Sequence, residues 1–179
     1  MENIVCLDKE IIFWVQAHLT ADWLSQVSLF LTWLGDYGGI WLLLGVLLVL
    51  RQKYRPLGLA ILLGWLLAAL VGSGLLKHLV MRPRPCIDYP TVRLLLPAPS
   101  PTDYSFPSGH AFTSFAAVAA VWRKLPWPVY ALLVALACGI GFSRVYLFFH
   151  YPSDVLAGAV LGIACGLLAG RLAQRLYKA

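Results

Sequence analysis

Three short stretches hold most of the residues in this chain that could do chemistry: Lys77, Arg82 and Arg84 in KHLVMRPRP, Ser108, Gly109 and His110 in PSGH, and Arg144, His150 and Asp154 in SRVYLFFHYPSD. Arginine forks match the paired oxygens of an oxyanion, and a lysine adds a point charge. A helix N-terminus at Ser108 and Gly109 would offer free backbone N–H groups, with no Cβ at Gly109 to block a close approach. A cluster of positive charge needs an anion, and these residue types suit phosphate.

Two histidines suggest reaction rather than binding alone. Pro152 fits the first position of a helix, which sets His150 just before it and Asp154 in its first turn. A carboxylate on one ring nitrogen fixes the tautomer and frees the other nitrogen to attack, so His150 is the expected nucleophile. His110 would stand across the phosphorus as general acid and later as base for water. His18 and His78 have no partner pattern and read as interfacial residues. The alternative, a cation held by His110, His150, Asp154 and Asp103, is opposed by three neighbouring cationic side chains.

The elements that position these residues follow from composition. Of 179 residues, 60% are hydrophobic and 12% charged, far from a soluble domain and typical of an integral membrane protein. Apolar runs at residues 27–50, 56–76, 111–122 with its flanks, 127–146 and 155–172 predict five transmembrane helices in one all-α bundle. The third reaches spanning length only if residues 108–110 lie at a membrane face. Residues 1–26 mix apolar with charged side chains and read as interfacial amphipathic helices preceding a transmembrane catalytic bundle over 27–179, all one domain. No basic n-region or cleavage pattern suggests a removable signal peptide.

Basic clusters at Arg51, Lys53 and Arg55, at Arg123 and Lys124, and at Arg171, Arg175 and Lys178 share one side. The positive-inside rule makes it cytoplasmic and puts the C-terminus inside and the N-terminus outside. Against that trend, Lys9, Lys77, Arg82, Arg84, Arg93 and Arg144, six of the fourteen Lys and Arg, fall on the outer face. Snorkelling explains one such residue, not a cluster accompanied by two histidines and an aspartate. Residues 81–106, with six prolines, form a longer irregular stretch than a connection requires. Cys6, Cys86, Cys138 and Cys165 lack metal-ligand spacing and are read as structural; a Cys6–Cys86 disulfide has no support in the pattern.

Taken together, Lys77 with six residues before Arg84-Pro85, Pro107-Ser108-Gly109-His110, and Ser143-Arg144 with five residues before His150 and three more before Asp154 resemble the tripartite signature of the type 2 phosphatidic acid phosphatases (PAP2). The resemblance covers about 80 residues and is specific as a set. It implies metal-independent phosphatase chemistry without a cofactor, through a phosphohistidine on His150 oriented by Asp154. Lys77, Arg84, Ser108, Gly109 and Arg144 would hold phosphoryl oxygens and His110 would protonate the leaving oxygen. Arg82 falls out of register and would steer substrate or hold a second phosphate.

Membrane members usually show six spans, and the expected five lack the first. The expected partners are the bilayer and a lipid phosphate at the extracytoplasmic face of the cell membrane, not nucleic acid. Undecaprenyl diphosphate suits the outer leaflet and the surplus charge of Arg82 and Arg93; phosphatidic acid and phosphatidylglycerol phosphate are the alternatives. A transporter or anion channel of the same residues would call for inverted repeats or paired broken helices, and neither is visible.

Overall fold

The structure, a computed structural model, describes residues 2–178, and every regular element among them is helical. Helix α1 (Glu2–His18) is two-sided: Asp8, Ile12 and Val15, spaced by helical turns, are buried, whereas Ile4, Leu7, Ile11 and Trp14 are exposed. That exposed apolar stripe suits a helix lying in the membrane interface.

Helices α2 (Asp22–Gly35) and α3 (Gly39–Val49) make a first apolar rod, Asp22–Val49. It is jogged at Asp36–Gly38, where Tyr37 and Gly38 take φ of 54° and 70°, and Trp65 Nε1 secures the jog by donating to the Tyr37 carbonyl at 2.8 Å. The apolar rod begins at Asp22, inside the 1–26 stretch expected to lie in the interface, and Ser25 stands with its hydroxyl 2.8 Å from that of Tyr146.

The second rod runs through α4 (Arg55–Ala68), a π-helical stretch (Ala69–Leu76) and α5 (Lys77–Val80) toward α6 (Pro85–Asp88). In an α-helix, residues four apart drift sideways by about 40° at each step. The wider π turn reverses that drift. Trp65, Ala69, Ser73 and Lys77 consequently stay in line and border one cavity.

Four apolar helical stretches among the described residues are long enough to cross a membrane: the two rods, α8 (Trp127–Tyr146) and Pro152–Tyr177 within α9 (Pro152–Lys178). The expected third span is different in kind. Helix α7 (Gly109–Ala120) has 12 residues, about 18 Å of helix, and nearly all its side chains are buried by the helices around it. It is a short axle inside four long helices, so neighbouring protein replaces the lipid contact that a longer apolar run would make.

A glycine ladder holds α9 against this axle. A Cβ built at Gly158, Gly162, Gly166 or Gly170 would lie 2.7, 2.5, 2.2 or 2.6 Å from the carbonyl oxygens of Ser108, Phe112, Ala116 and Ala120. Glycine at every fourth position therefore lets the α9 backbone sit directly on the carbonyl row of α7, the close approach that small residues give membrane helices. Its uppermost rung, Gly158 on Ser108, fixes the start of α7 to the start of α9.

Candidate active site

All three motifs meet at one end of the bundle. Lys77 opens α5, Arg84 precedes α6, Ser108 and Gly109 begin α7, Arg144 lies in the last turn of α8, and His150 and Asp154 straddle the start of α9. The basic clusters at 51–55, 123–124 and 171–175 occupy the opposite end.

The α8–α9 connection is unusual in being buried. Leu147, Phe148, Phe149, His150 and Tyr151 are all at most 4% exposed, and the four apolar or aromatic ones around His150 pack in one cluster with Ile12 and Val15 of α1. Phe148 takes φ 63°, and the Arg144 carbonyl accepts the N–H groups of Phe149 (3.0 Å) and His150 (3.2 Å), so the chain reverses in one tight turn. The same turn aims His150 at the cations.

His150 is held at both ring nitrogens. Arg84 Nη1 lies 3.1 Å from Nε2, and Ser105 Oγ lies 3.3 Å from Nδ1. Ser105 in turn donates to Asp154 Oδ2 at 2.5 Å, whereas Asp154 Oδ2 is 3.9 Å from Nδ1. Asp154 is thus joined to the imidazole through Ser105, and the direct contact expected between them is longer than a hydrogen bond; the Tyr151 N–H, 2.9 Å away, holds the same carboxylate oxygen in the turn. One tautomer satisfies this geometry, with the proton on Nδ1 and the lone pair of Nε2 toward the cavity. Burial first, and then the charges of Arg84, Arg144, His110 and Lys77, hold this imidazole well below the usual histidine range. That shift favours the neutral imidazole.

The cavity is about 430 Å³ and is bordered by Lys77, Arg84, Arg144, His110, Gly109 and His150. Arg144, which borders the cavity, has a buried Nε without a partner, and so does the Ser108 hydroxyl, which precedes the cavity-lining Gly109 but does not itself border the cavity. Arg144 also donates through Nη1 to Thr32 Oγ1, which leaves Nε to another acceptor. A buried donor without an acceptor is costly, and a phosphoryl oxygen in the cavity would satisfy Arg144 Nε.

Three carboxylates not assigned from the sequence organise this end. Asp103 accepts from Lys77 Nζ at 2.6 Å and Arg84 Nη2 at 2.9 Å, and its carbonyl takes Arg84 Nε at 2.7 Å. Burial alone would raise Asp103, but the Lys77 hydrogen bond and the Arg84 charge outweigh it and keep the carboxyl below its ordinary range. Asp36, at the jog of the first rod, stands 3.1 Å from His110 Nε2, which also faces the Thr32 carbonyl at 3.2 Å. The proton of His110 is thereby placed on Nε2, and Nδ1 is left for exchange with substrate. Asp8 of α1 binds Arg82.

Arg82 does not border the cavity. Its guanidinium spans Asp8 (2.7 Å) and Asp154 (2.7 Å) behind His150, so it is not placed to steer substrate or hold a second phosphate. Arg93 borders a separate cavity with Gln16 and Tyr146, which removes the charge argument for a diphosphate. The residues weighed for a cation site also part company, because Asp154 sits behind His150 and Asp103 pairs with Lys77 and Arg84. All four cysteines are free, Cys6 exposed and Cys86 buried.

The bundle thus brings a buried histidine, His150, and three cations, Lys77, Arg84 and Arg144, to one pocket. The chain belongs to the PAP2 superfamily, which it matches over residues 57–178. It is 33% identical over 135 residues to an undecaprenyl-diphosphatase of Sulfolobus acidocaldarius, covering 74% of this chain and 64% of that one. It is 36% identical over 113 residues to the undecaprenyl-diphosphatase BcrC of Bacillus subtilis, covering 62% and 55%. The first relatives are thus matched over about half to two thirds of their own length. Among solved structures, Aquifex aeolicus LpxE superposes with a TM-score of 0.73 at 29% identity, covering 92% of this chain and 95% of that one. A Bacillus subtilis PAP2-type phosphatidylglycerolphosphate phosphatase shares the fold, with a TM-score of 0.78 at 24% identity and coverage of 98% and 88%.

Proposed function

We propose that this protein is a lipid phosphatase that works through a phosphohistidine on His150, with its site at the extracytoplasmic face of the membrane. The observation that carries the reading is His150 itself: a buried, neutral imidazole with Nε2 facing a pocket that holds Lys77, Arg84, Arg144 and His110.

In the first step Nε2 attacks phosphorus and the bond from phosphorus to the leaving oxygen breaks. His110 gives that oxygen a proton, while Lys77, Arg84, Arg144, the Ser108 hydroxyl and the Gly109 N–H hold the remaining phosphoryl oxygens. In the second step His110 takes a proton from water, the hydroxide oxygen bonds to phosphorus, and the P–N bond breaks to release inorganic phosphate and restore His150. The three cations supply the charge stabilisation that a divalent metal provides in other phosphatases, so turnover is expected to survive EDTA.

The substrate reading is a long-chain isoprenoid diphosphate such as undecaprenyl diphosphate. It is supported by the names of the Sulfolobus acidocaldarius and Bacillus subtilis relatives and by the apolar bundle next to the pocket. Purified protein in detergent, assayed for phosphate release from isoprenoid diphosphate and phosphatidic acid, tests it. Higher kcat/KM for the diphosphate is expected. Equal or better turnover of phosphatidic acid would move the assignment to phospholipids, and no phosphate release from either would favour transport.

A further inference from the structure

We propose that Asp8 and Arg82 are positioning residues for the nucleophile, so that the interfacial helix α1 forms the far end of a relay running Asp8, Arg82, Asp154, Ser105, His150. The proposal rests on the reading of His150 as nucleophile.

The relay is continuous and almost wholly enclosed. Asp8 Oδ2 accepts from Arg82 Nη2 at 2.7 Å, and Arg82 Nη1 donates to Asp154 Oδ1 at 2.7 Å. The other Asp154 oxygen takes the Ser105 hydroxyl, whose lone pair faces His150 Nδ1. Asp8 is 3% exposed and Asp154 fully buried. Side contacts fix each link: the Ser153 N–H donates to Asp8 Oδ1 at 2.9 Å, the Ser153 hydroxyl lies 2.8 Å from Arg82 Nη1 and donates to Asp8, and the guanidinium stacks on the Tyr151 ring at 4.1 Å.

The chemistry explains why such a chain is useful. When Nε2 bonds to phosphorus the imidazole gains a positive charge, and Nδ1–H becomes a stronger donor. Ser105 passes that demand to Asp154, which must remain ionised and in place. Arg82 alone would satisfy the carboxylate but also draw off its charge. Asp8 takes up the second face of the guanidinium and divides its pull, leaving Asp154 free to answer the imidazole. Stability gives a weaker motive. Asp8 is the charged residue on a buried face otherwise made of Ile12 and Val15, where a further apolar side chain would bury without the desolvation cost of an ion.

His150 also faces Arg84, Arg144, Lys77 and His110 from the cavity, with Asp103 on Lys77 and Arg84 and Asp36 on His110. Those groups are common to all the variants below, so differences between variants report the relay. The experiment uses full-length protein in detergent and measures phosphate release from a short-chain isoprenoid diphosphate between pH 4.5 and 9. Asp8→Asn keeps the shape and removes the charge. Its kcat is expected to fall about tenfold, the effect of weakening one charge-assisted hydrogen bond, with KM changed less than about twofold. Its acid limb moves to lower pH, because Arg82 now acts undivided. Arg82→Gln moves the acid limb the other way, to higher pH. A residue that only supported the fold would not shift the limb in opposite directions.

The double variant Asp8→Asn/Arg82→Gln buries no unpaired charge from the pair and serves if Arg82→Gln does not fold; its kcat is also expected to fall at least about tenfold. Wild-type kcat and acid limb in Asp8→Asn, or wild-type kcat in the double variant, overturns the proposal. His150→Ala, with rapid-quench trapping of phosphoenzyme, is measured alongside. An active His150→Ala protein sinks the nucleophile reading itself, whereas an inert one beside a wild-type Asp8→Asn sinks the relay alone.

Discussion

Gly158→Ala tests whether the α7–α9 glycine ladder sets the geometry of catalysis. The added Cβ would meet the Ser108 carbonyl oxygen at 2.7 Å, with Ala111 Cβ and Phe112 N at 3.3 Å. A comfortable carbon–oxygen contact is about 3.3 Å, so the helix starts must part by about 0.6 Å, and the neighbour is backbone that no rotamer change can move aside. Overpacking of this kind costs about 1–3 kcal/mol, which outweighs the gain of up to about 1 kcal/mol that alanine brings to a helix. The displacement falls between the Ser108–His110 cradle and the His150–Asp154 pair. A misplacement of about 1 Å can cost about a hundredfold in rate, so about tenfold is expected for 0.6 Å. Phosphate release gives kcat, and thermal unfolding in the same detergent gives the stability change. Gly39→Ala is the control, since its nearest neighbour is the Leu34 carbonyl at 4.0 Å and space is open. Wild-type kcat and unchanged unfolding temperature in Gly158→Ala would refute the argument.

Asp36→Asn removes the carboxylate beside His110, lowers the proton affinity of that imidazole and should draw the basic limb of the rate profile to lower pH; kcat on a lipid substrate should fall about tenfold, and less on p-nitrophenyl phosphate, whose leaving oxygen needs little protonation. For wild type, the acid limb of kcat/KM should lie below the ordinary histidine value of about 6.5, because His150 is held low by burial and by the surrounding cations. The same depressed value makes its stabilising contribution complete above about pH 6.5 and progressively lost as pH falls toward the folded value, which acid unfolding monitored between pH 7 and 4 would reveal; an acid limb above 7 would contradict it. Asp103→Asn removes the carboxylate paired with Lys77 and Arg84 and should tighten inhibition by vanadate and by inorganic phosphate at least about threefold; weaker inhibition would show that Asp103 shapes the cradle rather than competing for it.

The cluster of Lys77, Arg84, Gly109, His110, Arg144 and His150 around one cavity is legible in the sequence because each residue type stands at a particular point of a helix or turn. Pro152 announced the start of α9, and with it the placement of His150 and Asp154. The helical, membrane-spanning class was equally plain from apolar length. What escaped is long-range pairing. Nothing local to Asp8, Asp36 or Asp103 says that a chain reversal will bring it to Arg82, His110 or Lys77, since each contact closes 26 to 74 residues of sequence. Ser105 was hidden inside a proline-rich stretch whose excess length was the available signal; that stretch supplies both Ser105 and Asp103. The enclosure of helix α7 is not legible, because composition reports apolarity without telling lipid from protein as the neighbour. Arg82 was assigned outward because a charge beside a phosphate motif was taken to face the phosphate, when two buried carboxylates claim it from behind.

Asp103 gives the pocket a property of its own. Lys77 and Arg84 are never bare, because a half-exposed carboxylate already occupies them. On the proposed chemistry, a phosphate group arriving there would trade places with that carboxylate, which returns to water as an anion. The trade runs both ways. After the proposed hydrolysis, the tethered carboxylate would be at hand to reclaim its cations from the freed phosphate, whose departure would be a swap at high local concentration rather than a bare loss of ion pairs. A phosphatase built this way would give up tightness of grip for speed of turnover, and its product would leave sooner than the number of cations around it suggests.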